Sequence, residues 1–65
     1  MEQFELRFLD RMNAVMLVRR IFARNDMAAM MEAHLGSMTH TLEVWQENRL
    51  VGRRERPLAR RIATR

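Results

Sequence analysis

The chain has 65 residues, of which 48% are hydrophobic and 31% charged, so it is long enough for one small domain. A chain of this length buries only about 60% of its unfolded surface, and its core is correspondingly marginal. It contains no cysteine, which excludes disulfides, thiolate zinc sites and cysteine nucleophiles. The remaining sources of stability are very good packing or oligomerisation, and we expect a dimer or a bound partner.

The positive charge is concentrated near the C-terminus. Residues 1–48 carry five arginines and seven acidic residues, whereas residues 49–65 carry seven arginines and one glutamate. The net charge of +4 therefore comes from the last quarter of the chain. The longest apolar run has five residues, against about 20 for a membrane span, and the N-terminus has no signal-peptide core. We therefore expect no membrane association and a cytoplasmic location.

Two strands are predicted in the first third of the chain. Residues 3–9 alternate apolar and polar side chains, with two phenylalanines and Leu6 on one face, which is the period of a half-buried strand. Residues 10–13 are typical of a turn, because Asp and Asn bond their own backbone. Residues 14–22 are apolar and partly β-branched. They predict a second strand, but the pattern does not decide which alternate set of side chains faces the core.

A short helix is predicted over roughly residues 26–35. Asn25 or Asp26 suits the N-cap, because its side-chain oxygen accepts hydrogen bonds from the first free amides. Gly36 is expected at the C′ position, where a left-handed residue closes the helix. Methionines and Leu35 recur at helical spacing between these ends. We expect the methionines to fill the core rather than to line a binding groove.

Residues 40–46 and 49–54 predict a third and a fourth strand joined by a tight turn. Pro57 ends any further strand. The chain is therefore interpreted as one α+β domain over residues 1–54, an antiparallel ββαββ sheet with one helix on one face, followed by a basic tail over residues 55–65. An all-helical hairpin or three-helix fold is the alternative, since no glycine or proline interrupts the first half of the chain.

The segments FELRFLD, VMLVRR and LEVWQENRLVGR, with a short helix opening at ND, resemble a class of small uncharacterised bacterial proteins. The resemblance covers about residues 4–53 and implies a ββαββ unit. It implies no catalytic residue and no known activity. The chain departs from that class in its methionine-rich helix and its long arginine tail.

No constellation of residues predicts catalysis. Ser37, Thr39 and Thr41 flank His40 by sequence adjacency alone, which does not make a catalytic triad. His34 and His40 are fewer than the three or four ligands of a metal site. Two isolated glycines form no phosphate loop. We therefore expect no enzyme activity, no cofactor and no small-molecule substrate.

The face of the sheet away from the helix is predicted to be a protein interface. A two-residue loop pairs Trp45 with Leu50, and Val44 with Val51 on the opposite face. One short helix covers only one face of four strands. Trp45, Leu50, Leu9 and one set of second-strand side chains are therefore expected to form an exposed apolar patch, which usually marks an interaction site.

The arginine-rich segment supports two other interpretations. Leu58 and Ile62 are four residues apart, so the tail is an alternative cover for the open face as a short amphipathic helix. Contact with phosphates is the other interpretation and would make the chain a nucleic-acid-binding protein, although the tail has no aromatic residue for base stacking. The arginines concerned are Arg53, Arg54, Arg56, Arg60, Arg61 and Arg65.

The leading functional hypothesis is a non-enzymatic protein-interaction module. A domain of this size acts through what it binds, so we expect a small regulator or inhibitor that forms a homodimer or binds a larger protein partner. On this hypothesis Trp45→Ala weakens association. On the nucleic-acid alternative, removal of the tail abolishes binding, and affinity falls steeply with salt.

Overall fold

The computed structural model describes residues 1–37 and 39–56. Its elements are β1 (Glu2–Leu9), β2 (Val15–Ala23), α1 (Asp26–Gly36), β3 (Thr41–Gln46) and β4 (Arg49–Arg54). The strands form one antiparallel sheet with the spatial order β2-β1-β3-β4. The predicted ββαββ fold is confirmed, and the all-helical alternative is wrong.

The turn between β1 and β2 closes through Asp10. Its Oδ1 atom accepts hydrogen bonds from the backbone amides of Met12 and Ala14 at 2.8 and 2.9 Å. Asn13 adopts a left-handed conformation with φ 65°, which asparagine tolerates better than most residues. The predicted turn chemistry is therefore confirmed.

The two ends of α1 are closed by side chains. Asn25 is the N-cap, and its Oδ1 accepts from the amide of Ala28 at 2.9 Å. The prediction of a left-handed Gly36 is wrong: Gly36 is helical, no described glycine has positive φ, and Ser37 closes the helix by donating its hydroxyl to the carbonyl of His34 at 2.9 Å. A Cβ on Gly36 would lie 3.2 Å from a methyl of Leu42, so glycine allows the helix end to approach the sheet.

The hairpin of β3 and β4 has one irregularity that counting along the sequence missed. Trp45 pairs with Leu50 as predicted, but Val44 pairs with Gly52 and not with Val51. A bulge places Val51 as an extra residue in β4. Val51 nevertheless packs against the core, on the face where it was expected.

The core lies between α1 and the centre of the sheet. Its fully buried large side chains are Phe4, Leu42 and Val44, from the two central strands β1 and β3. Ala29 and Ala33 bring the helix backbone close to this cluster, and both are completely buried.

Residues beyond Arg56 lie outside the described part of the chain, as do the predicted tail helix and its Leu58 and Ile62. Within the described part, no helix has the length and apolar content needed to span a bilayer.

Candidate protein-interaction surface

The register of β1 and β2 decides which side chains of β2 face the helix. Phe4 pairs with Ile21 and Phe8 with Leu17, so Ile21 and Leu17 lie on the helix face. Val18 pairs with Arg7 and lies on the opposite, open face. The ambiguity that the sequence left in β2 is thereby resolved for residues 17–23. A bulge at Met16 shifts the pairing before them, so that Val15 pairs with Leu9.

Trp45 lies on the open face, as predicted, but much of its surface is already in contact. The guanidinium of Arg7 sits 4.5 Å from the centre of its ring in a cation–π contact. The indole Nε1 donates to the carboxylate of Glu43 at 2.9 Å. Leu50, its cross-strand neighbour, is 48% exposed. The pair therefore offers little more than Leu50 to a partner.

The centre of the open face is charged rather than apolar. Arg7 donates to Glu5 at 2.8 Å, and Arg53 contacts Glu43 at 3.4 Å. The first pair lies on β1, and the second joins β4 to β3. In each pair the arginine and the glutamate neutralise each other's charge. The broad apolar patch expected around Trp45 is interrupted by this row of ion pairs.

Leu9 was predicted to join the Trp45 patch. It pairs with Thr41 on β3 and with Val15 on β2, and only 3% of its side chain is exposed. Leu9 is therefore buried and cannot contact a partner, so the prediction that it belongs to an exposed interface is wrong.

The candidate surface lies on β2. This strand is at the edge of the sheet, and five of its large apolar side chains are between 46% and 64% exposed. We call them together the β2 edge surface: Val15, Met16, Leu17, Val18 and Phe22. They include members of both alternate sets, whereas the sequence led us to expect only one set to be open.

Exposure of β2 follows from the position of the helix. The helix buries Ala29 and Ala33 against side chains of β1 and β3. Met30 lies against Gly52 of β4, where a Cβ would come within 2.6 Å of its sulfur. Ile21 and Ala23, near the C-terminal end of β2, pack against the core that the helix covers, whereas the first four residues of the strand stay half exposed.

The exposed methionines of α1 correct a sequence-based expectation. Met30 packs against the core, but Met27 and Met31 are exposed, and so is Leu35. These three exposed side chains are spaced four residues apart and form a stripe along one side of the helix. Ala29 and Ala33 are buried against the sheet, so the expectation of a methionine-filled core is confirmed for Met30 and wrong for Met27 and Met31.

The predicted nucleic-acid residues are only partly visible. Arg53 is engaged, since it donates to Glu55 at 2.8 Å and to the Asn13 side chain at 3.2 Å as well as contacting Glu43. Arg54 and Arg56 are exposed at the end of β4 and just beyond it. The other three predicted arginines lie outside the described residues: Arg60, Arg61 and Arg65.

A shallow groove of about 560 Å3 lies beside these arginines. Arg11, Arg53, Arg56 and His40 are among its lining residues. The Nδ1 atom of His40 lies 2.8 Å from the hydroxyl of Thr39. Across residues 1–37 and 39–56, no three histidine or acidic side chains are grouped closely enough to hold a metal ion.

Comparison of the chain with protein-family models, with curated proteins and with solved structures found no significant match. The likeness to small bacterial proteins therefore stays an interpretation of the sequence.

Proposed function

We propose that this chain is a non-enzymatic protein-interaction module that binds another polypeptide through the β2 edge surface. The observation that carries the proposal is the exposure of five large apolar side chains on one edge strand. On soluble proteins, groups of exposed apolar side chains usually mark an interaction site. As a small regulator or inhibitor in the cytoplasm, such a domain acts by what this edge binds.

The edge also supplies the means of binding. An edge strand presents a row of backbone N–H and C=O groups that a second strand can pair with. In such strand addition, the backbone hydrogen bonds give affinity and alternate side chains give specificity. Leu17 and Val18 point to opposite faces of the sheet, so they would contact side chains of an added strand on both faces.

The small core supports the same proposal. Three of the eight hydrophobic residues that are buried within the described part of the chain are alanines, whose side chains bury little apolar surface. Burial of apolar surface stabilises by about 25 cal/mol per Å2, so covering the β2 edge would add directly to folding stability. Binding and folding are then linked, since a partner that binds only the folded state raises its stability.

The nucleic-acid alternative receives less support. Arg53, the innermost of the predicted phosphate contacts, is held by Glu43 and Glu55. The alternative stays a prediction, tested by binding of the full chain and of a chain ending at Arg56 to a single-stranded oligonucleotide. Loss of binding on truncation, with a steep fall of affinity in salt, would favour it over the present proposal.

Site-specific photo-cross-linking tests the proposal. Benzoylphenylalanine replaces Leu17 on β2 or, as the control, Leu50 on β4, which is almost equally exposed. Both variants are irradiated in the cells that produce the chain, and the adducts are identified by mass spectrometry. We expect one defined polypeptide, either this chain or another, attached at position 17 and not at position 50. Absence of any adduct specific to position 17 would contradict the proposal.

A further inference from the structure

A second groove, of about 430 Å3, lies between the end of β2 and the first turns of α1. Three methionine side chains line it: Met1, Met27 and Met31. We infer that these three thioethers form a binding site for copper(I). The inference goes beyond the proposed function, because its ligand is a metal ion and it does not depend on a partner at the β2 edge.

The fold brings the three methionines to one place. Met27 and Met31 are four residues apart in α1, so their side chains are neighbours on the same side of the helix. Met1 directly precedes β1, and the first residue of that strand, Glu2, pairs with Ala23 at the end of β2. Only two residues separate β2 from α1. The start of β1 therefore lies beside the start of the helix, and Met1 reaches the groove from there.

The donor atoms select the ion. Thioether sulfur is an uncharged, soft ligand, which favours copper(I) over the hard cations magnesium and calcium. The chain contains no cysteine whose thiolate would compete for the same ion. No histidine is among the described residues that line the groove, so the donor set lacks the imidazole that suits zinc and copper(II).

The polar groups at the groove favour an ion of low charge. Arg24 and Glu32 both line it, and their charges are opposite. Asn25, a third polar neighbour, already uses its Oδ1 to cap the helix through the amide of Ala28. With uncharged sulfur ligands and no excess of carboxylate, the groove compensates little positive charge, so a monovalent cation is favoured over a divalent one.

Exposure leaves the three sulfur atoms available to bind. Met1, Met27 and Met31 are 88%, 74% and 65% exposed. A methionine side chain has three rotatable bonds, so the sulfurs can converge on an ion without any loss of core packing. Met30 differs, because it packs against the core beside Gly52. The expectation of no metal site was based on histidine ligands, and it did not consider thioether donors.

An apolar partner is the competing explanation for the exposed methionines. Met27 and Met31 belong to a stripe that continues to Leu35, and leucine has no donor atom for a metal. Met1 lies outside that stripe and yet lines the same groove. The meeting of thioethers from two separate segments of the chain favours the ion.

Methyl resonances of methionine test the site residue by residue. The purified full-length chain, labelled with carbon-13 at the methionine methyls, is titrated anaerobically with copper(I) supplied as its acetonitrile complex. Intact mass verifies that Met1 is retained, and single methionine-to-leucine substitutions assign the signals. Two exposed methionines outside this groove are the internal controls: Met12 and Met16.

We expect the three groove methionines to shift together and to saturate at one copper(I) per chain, while the two controls stay in place. Met31→Leu removes one sulfur at nearly constant volume and should weaken copper(I) binding at least about tenfold. Met12→Leu, the matched control, lies outside the groove and should change the affinity by less than about twofold. Circular dichroism verifies that each variant is folded.

Equal shifts of the control methionines, or binding that Met31→Leu leaves unchanged, would overturn the inference, because exposure of thioether sulfur alone would then explain the response. Absence of any shift with copper(I) would overturn it as well. The proposed function is judged separately, since the photo-cross-link at position 17 is made without added copper.

Discussion

The two edges of the sheet differ in how they meet solvent. The β4 edge carries Arg49, Arg53 and Arg54 and contains a bulge at Val51. Charged side chains and bulges are the devices by which edge strands avoid pairing with other chains. The β2 edge also has a bulge, at Met16, and carries Arg19 and Arg20 near its middle, so the two edges differ in apolar exposure: the first four residues of β2 are all apolar and half exposed.

The comparison indicates which of the two edge strands is available to pair with another strand. On β4, Arg49 also donates two hydrogen bonds, of 2.9 and 3.0 Å, to the carboxylate of Asp26 at the start of α1. Met30 of α1 lies against Gly52 of the same strand. The helix and the ion pair therefore contact β4 at Gly52 and Arg49, whereas the first four residues of β2 stay half exposed.

The largest expected effect breaks the β2 edge with a charge. Leu17→Arg places a charge within the β2 edge surface and removes apolar contact, so, if the chain forms the dimer that its small size led us to expect, the dimer Kd should rise about hundredfold. Leu17→Glu should weaken the dimer for the same reason. Sedimentation equilibrium measures both.

Leu50→Arg is the matched control for that substitution. It adds the same charge to a leucine of similar exposure on the β4 edge, and we expect the dimer Kd to change by less than about threefold. A loss of association equal to that of Leu17→Arg would remove the distinction between the two edges.

Trp45→Ala sharpens the comparison by separating stability from association. The sequence alone predicted that this substitution weakens self-association or partner binding. With the ring held beneath Arg7 and bonded to Glu43, we now expect a loss of about 2 kcal/mol in the free energy of unfolding. Urea titration measures the loss, with the dimer Kd of the folded variant measured alongside. A large rise in that Kd, without a loss of stability, would favour the original prediction.

Gly52→Ala tests how the helix is fitted to β4. The new Cβ would lie within 2.6 Å of the sulfur and the methyl of Met30, so the methionine has to move. We expect a destabilisation of about 1 kcal/mol in urea titrations, because the contact involves the flexible end of a side chain. In a Met30→Ala background the same substitution should cost nothing, and an unchanged cost there would show that backbone strain is responsible.

The smallest expected effect concerns the ion pair at the corner of β4. The hydrogen-bonded Arg49 guanidinium holds the pKa of Asp26 below its ordinary value of about 3.9. A lowered folded-state pKa stabilises the fold above the unfolded pKa, and the contribution disappears as pH falls through the folded pKa. Asp26→Asn should therefore lower the Tm slightly at pH 7 and not at strongly acidic pH. A deficit that persists in acid would show that the charge pair with Arg49 is not its cause.

Much of the fold could be predicted because its signals are local. Alternation in β1, the Asp10 turn and the Asn25 cap each depend on residues adjacent in sequence, and the structure confirms all three. The bulge at Val51 could not be predicted, because it depends on how β4 meets Met30 and the core.

The interaction surface was harder to predict than the fold. An apolar run such as the start of β2 is typical of a strand covered on both faces, and its edge position depends on strand order. The exposure of Trp45 was overestimated because its cover, Arg7, belongs to a strand 38 residues earlier in the sequence. Alanines in α1 gave a signal that a careful count would have used, since they mark the helix face that approaches the sheet.

The molar mass of the intact chain in solution, measured by light scattering beside the Leu17→Arg variant, tests the central claim most directly. We predict twice the 7.8 kDa of one chain for the natural sequence and a shift toward 7.8 kDa for the variant at the same concentration. A natural chain that remains at 7.8 kDa, or a dimer that Leu17→Arg leaves intact, would contradict pairing through the β2 edge.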